Sequence, residues 1–480
     1  MAEVDDLRGE NEALKRRIAQ LEAENAEIKE RLRELEARLK MTSRNSSKPP
    51  SSDWVHRPAP KSLREPSGRP TGGQPGHRGQ TLKMVSQPDR VVRHGVEACA
   101  GCKRSLARQA PLGMEKRQVF DLPPQKIEVT EHQAEIKICV GCGWENRGEF
   151  PPDVQQPAQY GNRLKALSIY LANYQFVPYE RQEEFFQDLY GHPISQGTLV
   201  NFNQACYGQL EEVEKSIRDG IIRSEVTHHD ETGQYIAGKR EWLHVSSTAR
   251  LTLYNTHAKR GTEAMDEAGI LPCLSGRAVH DHLMSYFQYE NCEHALCNAH
   301  HLRELRYIQE EYKQPWAGTM KRLLVRIKDA VDAAKGAGAG GLKADQLRRF
   351  EKRYDQVVLE GLKANPSVAL AEGVSRKRGR PKQSKAKNLL DRLDKCRQET
   401  LAFMRDFRVP FDNNLAERDI RMMKVKQKVS GCFRSHAGAK AFCRIRGYIS
   451  TARKNAVPIL QALQRVFEGN PFIPADAGCG

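Results

Sequence analysis

From Leu7 to Leu39, apolar side chains or Asn return at alternating intervals of four and three: Leu7, Asn11, Leu14, Ile18, Leu21, Asn25, Ile28, Leu32, Leu35 and Leu39. This is a heptad seam. With Leu7, Leu14, Leu21, Ile28 and Leu35 at d, Asn11 and Asn25 fall at a, where an Asn satisfies its amide only against the same Asn of a parallel, in-register partner. The flanking interhelical pairs of such a dimer, Glu10 with Lys15, Arg17 with Glu22, Glu24 with Lys29 and Arg31 with Glu36, all attract. Residues 1–40 therefore predict a leucine-zipper coiled coil, and with it a homodimer or higher homo-oligomer.

The periodicity then stops. Residues 41–98 hold runs such as Asn45-Ser46-Ser47-Lys48-Pro49-Pro50 and Gly72-Gly73-Gln74-Pro75-Gly76-His77, the composition of a basic Pro/Gly/Ser-rich linker. Residues 99–150 carry two C-x-x-C pairs around a β-rich stretch, Lys126 to Ile138. From Tyr160 to Leu210 the pattern is helical, and within 151–220 a helix near Glu180–Tyr190, a turn at Gly191 and a Ser-capped helix read as a helix-turn-helix or as an ordinary helical pair. Ser195, Gln196 and Thr198, at the start of the second helix, are its candidate DNA contacts.

The period changes again in 221–310. Val226–Ile236, Glu241–Ser247 and Leu251–His257 predict three strands, followed by a helix near Thr262–Ala268 and a strand ending at Asp281. Ala295–Asn298 predicts a fifth strand, leading into a helix near His301. That order is the order of an RNase H-like sheet. Residues 311–405 read as a helical insertion with a basic loop over Ser375–Lys387. Helices over Asn414–Lys426 and Ala439–Phe467 complete residues 406–480, so the fold class is α/β and multidomain.

Composition changes this picture in four ways. Of 480 residues 39% are hydrophobic, enough for a substantial core. The formal charge of +17 favours a polyanionic partner such as DNA. With no apolar run long enough for a membrane span and a charged N-terminus in place of a signal core, a cytoplasmic protein is expected. Of the 12 cysteines, Cys99, Cys102, Cys139 and Cys142 form the two pairs, with Gly101 and Gly141 easing each turn. Four soft thiolates suit a structural, tetrahedral Zn2+ with no open position for catalysis.

Two-metal phosphoryl transfer needs carboxylates that bring two divalent cations together, and three acidic residues on different elements suffice. Asp230 in the first strand and Asp281 at the end of the fourth lie side by side if those strands are neighbours. Glu417 is open to two readings. It supplies the third ligand, or it closes a capping box in Asn414-Leu415-Ala416-Glu417. Arg421, Lys424 and Lys428 follow it at helical spacings and form a basic stripe suited to phosphates.

The block Val409-Pro410-Phe411-Asp412-Asn413-Asn414-Leu415-Ala416-Glu417-Arg418, continuing through Lys424-Val425-Lys426-Gln427-Lys428 and Ser430-Gly431-Cys432-Phe433-Arg434-Ser435, resembles the insertion-sequence-66 family of bacterial transposases. The zipper, the Asn-Ser-Ser-Lys-Pro-Pro stretch, the Gly-Gly-Gln-Pro-Gly-His linker and the C-x-x-C module resemble that family in the same order. The resemblance implies an RNase H-like catalytic domain with Asp230, Asp281 and Glu417 as its carboxylates, using Mg2+ or Mn2+, two per site. It implies a DDE transposase that cuts the ends of an insertion sequence and joins the freed 3′-hydroxyls to target DNA, with small accessory proteins encoded beside it. His282 stands where family members often carry a small residue. Cys297-Asn298-Ala299-His300 resembles a C-x-x-H seen before helical insertions in several transposase families, and here a packed strand-to-helix junction is the simpler reading than a second zinc site. Arg378-Gly379-Arg380-Pro381 resembles an AT-hook core, although Arg378 and Arg380 also suit non-specific phosphate contact. An inactive DNA-binding regulator and a junction or repair nuclease are the competing functions.

The zipper gives a first test. Replacing both Asn11 and Asn25 by Leu is expected to raise the thermal stability of the oligomer while relaxing its stoichiometry, read by sedimentation. A segment 1–40 that sediments as a monomer at micromolar concentration contradicts the assignment.

Overall fold

In the computed structural model, which describes residues 2–42, 81–367 and 383–475, the heptad segment is one helix, α1 (Ala2–Leu39). Its seam residues Leu14, Ile18, Leu21, Ile28, Leu32, Leu35 and Leu39 are exposed along a single chain. Its end is anchored: Ala37 is buried in a helical core, and its carbonyl accepts the Tyr307 hydroxyl at 2.7 Å.

The chain divides into two units, one of residues 58–131 with 188–192 and one of the remainder. The described part of the smaller unit is irregular. It is held by the Gln118 amide, which bonds both the N–H and the carbonyl of Val85 at 2.8 Å, and by the turn that carries Cys99 and Cys102. In the larger unit β1 (Ile136–Ile138) and β2 (Glu145–Arg147) form a short hairpin around Cys139 and Cys142. Of the β-rich stretch expected from Lys126 to Ile138, only the last three residues are strand.

Next come α2 (Asn162–Ile169), α3 (Tyr179–Tyr190), α4 (Gln196–Gln209) and α5 (Glu211–Ile222). They lead to the sheet: β3 (Val226–Ile236), β4 (Lys239–Ser247), β5 (Thr252–His257), α6 (Thr262–Ala268), β6 (Arg277–His280) and β7 (Glu293–Leu296). The strands lie in the order β5-β4-β3-β6-β7, with β3, β4 and β5 antiparallel and β6 and β7 parallel to β3. Between β3 and β4 the two-residue turn Ala237-Gly238 places both residues at positive φ, 48° and 78°, the geometry whose twist matches a hairpin. At Gly276 a Cβ would collide with the carbonyls of Ser224 and Glu225, so a glycine is what lets β6 approach the start of β3.

The insertion between β7 and the final helices comprises α7 (Asn298–Glu311), α8 (Pro315–Gly336), α9 (Ala344–Ala364), α10 (Lys385–Lys395), α11 (Arg397–Thr400) and α12 (Ala402–Arg405). Their inward stripes build one core that includes Leu305, Trp316, Leu324, Tyr354 and Leu390, with Val279 and Ala295 joining from the sheet. This makes the insertion a packed layer against the β7 edge.

The chain then returns as α13 (Asn414–Ser430), α14 (His436–Lys454) and α15 (Ile459–Phe467). The single helix expected over Ala439–Phe467 is two helices, because Ala456 turns to φ 57° and Pro458 caps the second, leaving no N–H to continue the first. The α13 helix crosses β3 and β4, burying Ala416, Ile420 and Met423 against Leu243, Val245 and Tyr254. Each fully buried side chain of this size contributes about 1.5–3 kcal/mol. Lys454 on α14 pairs with Asp419 of α13 at 2.7 Å and donates to the carbonyls of Thr248 and Leu251, which fixes the helix along its length.

Met423→Ala is expected to destabilise the larger unit by about 2–5 kcal/mol, measured by denaturant unfolding, because the tightly packed site under α13 cannot close over the void.

Candidate active site

The register of β3 against β6 pairs Val226 with Arg277 and His228 with Val279. Carried two residues further it sets Asp230 opposite Asp281, on the same face of the sheet, just beyond the end of β6. Both keep some exposure to solvent. Asp230 accepts the Glu231 N–H at 2.8 Å, and Asp281 accepts the Leu283 N–H at 3.0 Å, so each carboxylate is oriented by the backbone.

Their electrostatics are unfavourable without a cation. Burial pushes the Asp230 carboxyl well above its usual range, and the neighbouring Glu231, Asp281 and Glu417 add to the shift. Burial and then Glu231 push Asp281 up to about 6. Grouped carboxylates disfavour one another's ionised forms, and hard divalent cations relieve that repulsion through oxygen ligands.

Glu417 is delivered by α13, whose start is fixed by Asn413. The Asn413 side chain bonds His228 Nδ1 at 2.9 Å and donates to the His229 carbonyl at 2.7 Å, while its N–H reaches Cys297 Sγ at 3.2 Å. The capping box starting at Asn414 is absent: Asn413 is the N-cap residue, without a side-chain cap bond, and Asn414 N–H donates to Asp412. Glu417 instead turns Oε1 toward Cys297 Sγ, 4.0 Å away, and His300 Nδ1, 3.8 Å away.

Behind Asp230, on the opposite face of β3, Glu231 is fully enclosed. Arg260 grips its Oε1 with Nε at 3.0 Å and Nη2 at 2.6 Å, and the Tyr286 hydroxyl donates to Oε2 at 2.7 Å. His280 stacks on Tyr286 with ring centres 4.4 Å apart and exchanges a hydrogen bond with His294 at 3.0 Å. Sequence reading missed Glu231, Arg260, Tyr286 and Asn413. The one signal for Glu231 was a second acid beside Asp230 in an otherwise buried strand.

The other candidate residues are dispersed. Ser195 caps α4 by accepting the Thr198 N–H at 3.3 Å, and the two hydroxyls bond each other, while Gln196 is exposed. On α13, Arg421 and Lys428 are exposed, but Lys424 is half-buried and donates to the Gly233 carbonyl at 2.6 Å. His282 packs beside Phe287, and its Nδ1 is buried without a hydrogen-bond partner among the described residues. Arg378 and Arg380 lie outside the described residues.

Each C-x-x-C turn has the same local design. The N–H of Lys103 returns to the Cys99 carbonyl and that of Gly143 to the Cys139 carbonyl, with Lys103 and Gly143 both at positive φ. Backbone N–H groups of Cys102 and Gly101 lower the Cys99 thiol's pKa, as those of Gly141 and Cys142 lower that of Cys139.

Taken together, the five-stranded mixed sheet and the carboxylates beside its β3–β6 pair define an α/β protein with an acidic cluster at one end of the sheet. Residues 157–441, more than half of the chain, match the family model described as Transposase IS66 family, and the chain belongs to that family of DNA-processing enzymes. Residues 2–83 match a second model, described as a family of unknown function (DUF6444). No match is found among curated proteins.

The raised Asp281 carboxyl sets a pH dependence. Because the folded state holds the proton up to about pH 6 and the unfolded chain releases it near 3.8, folding binds protons between those values. Stability of the metal-free protein should therefore fall as pH rises through that window. Added Mg2+ should raise the melting temperature more at about pH 8 than at about pH 5, where protons already neutralise the site, and Asp281→Asn should raise metal-free stability at about pH 8 while shrinking the Mg2+ effect. A Mg2+ effect independent of pH and of Asp281 contradicts this electrostatic account.

Proposed function

We propose that the chain is a DDE transposase that cuts DNA at the ends of an insertion sequence and joins the freed 3′-hydroxyls to target DNA. The observation that carries the reading is the β3–β6 register, which carried two residues on pairs Asp230 with Asp281, together with the charges of Asp281 and Glu417 that both act on Asp230. The strand order, with three antiparallel strands followed by two parallel to the first, supports an RNase H-like core. An all-oxygen carboxylate set suits Mg2+ or Mn2+.

Asp230, Asp281 and Glu417 would hold these cations, which when bound supply activation of the attacking oxygen and stabilisation of the leaving one. Glu231 stays out of the cluster, neutralised by Arg260 and hydrogen-bonded by Tyr286, and so positions the strand beneath Asp230. Asn413 holds α13 at the height that presents Glu417. The exposed Arg421 and Lys428 offer cations to phosphates along the same helix, and the exposed end of α4 offers a second DNA contact.

The unpartnered apolar seam of α1 fits a second copy of the chain, and two zippered protomers would hold two element ends together. Each C-x-x-C turn offers one thiol, Cys99 or Cys139, whose pKa the turn's backbone N–H groups lower, which suits a soft structural cation such as Zn2+.

Asp230→Asn, Asp281→Asn and Glu417→Gln should each reduce cleavage of end-bearing DNA to background while leaving DNA binding within a few-fold of wild type. Wild-type cleavage by any one of them removes that residue from the set. Joined product made by the intact chain separates a transposase from both a nuclease and a regulator.

A further inference from the structure

The third carboxylate has a second set of neighbours that phosphoryl transfer does not use. Cys297 ends the segment after β7 and caps α7, and His300 lies one turn into that helix. Their ligand atoms and Glu417 Oε1 lie within 4.8 Å of one another. The separations from Oε1 are 4.0 Å to Sγ and 3.8 Å to Nδ1. In a tetrahedral zinc site, bonds of about 2.0–2.3 Å put ligand atoms roughly 3.2–3.8 Å apart, so a contraction of about an ångström closes the three around one ion.

His300 Nδ1 is buried and without a hydrogen-bond partner among the described residues, an arrangement that is costly unless the nitrogen meets a ligand. Cys297 is buried, and the Asn413 N–H points at its sulfur from 3.2 Å, the contact by which backbone amides support a metal-bound thiolate. Asn298 fixes the geometry: its N–H donates to the Phe411 carbonyl, and its side chain donates to the Thr400 carbonyl at 2.9 Å.

We propose that Cys297, His300 and Oε1 of Glu417 form a binding site for a thiophilic divalent cation, zinc in preference to magnesium, beside the Asp230–Asp281 pair. One thiolate, one imidazole and one carboxylate leave a fourth position open, unlike a closed four-thiolate site. Sulfur selects against Mg2+, so the two kinds of cation do not compete for the same ligands except at Glu417. On binding, the Cys297 thiol releases its proton to solvent, and His300 binds as the neutral ring. Glu417 then serves two sites, with Oε1 on this cation and Oε2 left for the proposed cations of the aspartate pair. The site itself rests on the geometry alone. Its influence on DNA cleavage rests on Glu417 being a catalytic ligand.

The test uses the full-length protein, stripped of metal and titrated with Co2+. Wild type should bind one equivalent more than Cys297→Ala, and the lost equivalent should carry a near-ultraviolet charge-transfer band of a single thiolate. His300→Ala removes no thiol and sits at a partly exposed position, and it should lose the same equivalent and the same band. Asp230→Asn should keep both. Circular dichroism identifies any variant that fails to fold, and a folded His300→Ala decides the question by itself. Identical stoichiometry and spectra in wild type and His300→Ala overturn the site and leave a packed strand-to-helix junction. If Asp230→Asn still cleaves DNA while the cobalt band is present, the transposase reading falls and the cation site stands. If cleavage is lost in Asp230→Asn and no band appears, only the cation site falls.

Discussion

Mutual repulsion among carboxylates at one end of the sheet is the constraint around which this molecule is organised. Asp230 and Asp281 face each other across parallel strands, Glu417 arrives from a helix, and Glu231 lies just behind. Left alone, such a group is unfavourable in a partly buried setting, and it persists because surrounding packing over-determines each position. Glu231 is neutralised internally by Arg260, whereas the other three have no Arg or Lys within ion-pair distance among the described residues. This asymmetry separates Glu231, which holds structure, from the three carboxylates that the proposed function assigns to cations.

The packing that enforces the cluster comes from distant parts of the chain. The insertion separates β7 from α13 by about a quarter of the sequence, yet Asn413 returns the chain to β3 through bonds to His228 and His229. Asp419 and Lys454 then hold α13 to the β5 edge, and Ile420 and Met423 seal its underside. The acidic site is thus closed by the last helices, and the large helical insertion can pack as its own layer without disturbing it.

Much of this was legible in the sequence where local pattern and local structure agree. The stretch from Val226 to Ile236, expected as a strand, is β3, residue for residue, and Thr262–Ala268 is α6, because a buried strand and a short Gly-bounded helix carry their own signals. Glu417 was ambiguous because a capping box is a local pattern, whereas the side chain's direction depends on Asn413 meeting a histidine 185 positions away. The Glu231 ion pair was invisible for a related reason: neighbouring residues of a strand face opposite sides, and Arg260 and Tyr286 lie on later elements. The split of the last helix had a readable cause in Pro458, which the strong apolar period on either side outweighed. Cys297-x-x-His300 joins β7 to α7, as the sequence order requires. Its approach to Glu417 was not encoded in any spacing.

The central claim, that the facing aspartates hold the divalent cations used in DNA cleavage, is tested most directly by changing the ligand chemistry at Asp281. Cleavage of DNA bearing the element's end would be measured for Asp281→Cys and Asp281→Ala, each in Mg2+ and in Mn2+. A thiolate ligand tolerates Mn2+ better than Mg2+. The account predicts no cleavage by Asp281→Cys in Mg2+ and a return of cleavage in Mn2+, with Asp281→Ala inactive in both. Wild-type cleavage by Asp281→Cys in Mg2+, or equal activity of the Cys and Ala variants in Mn2+, would contradict it.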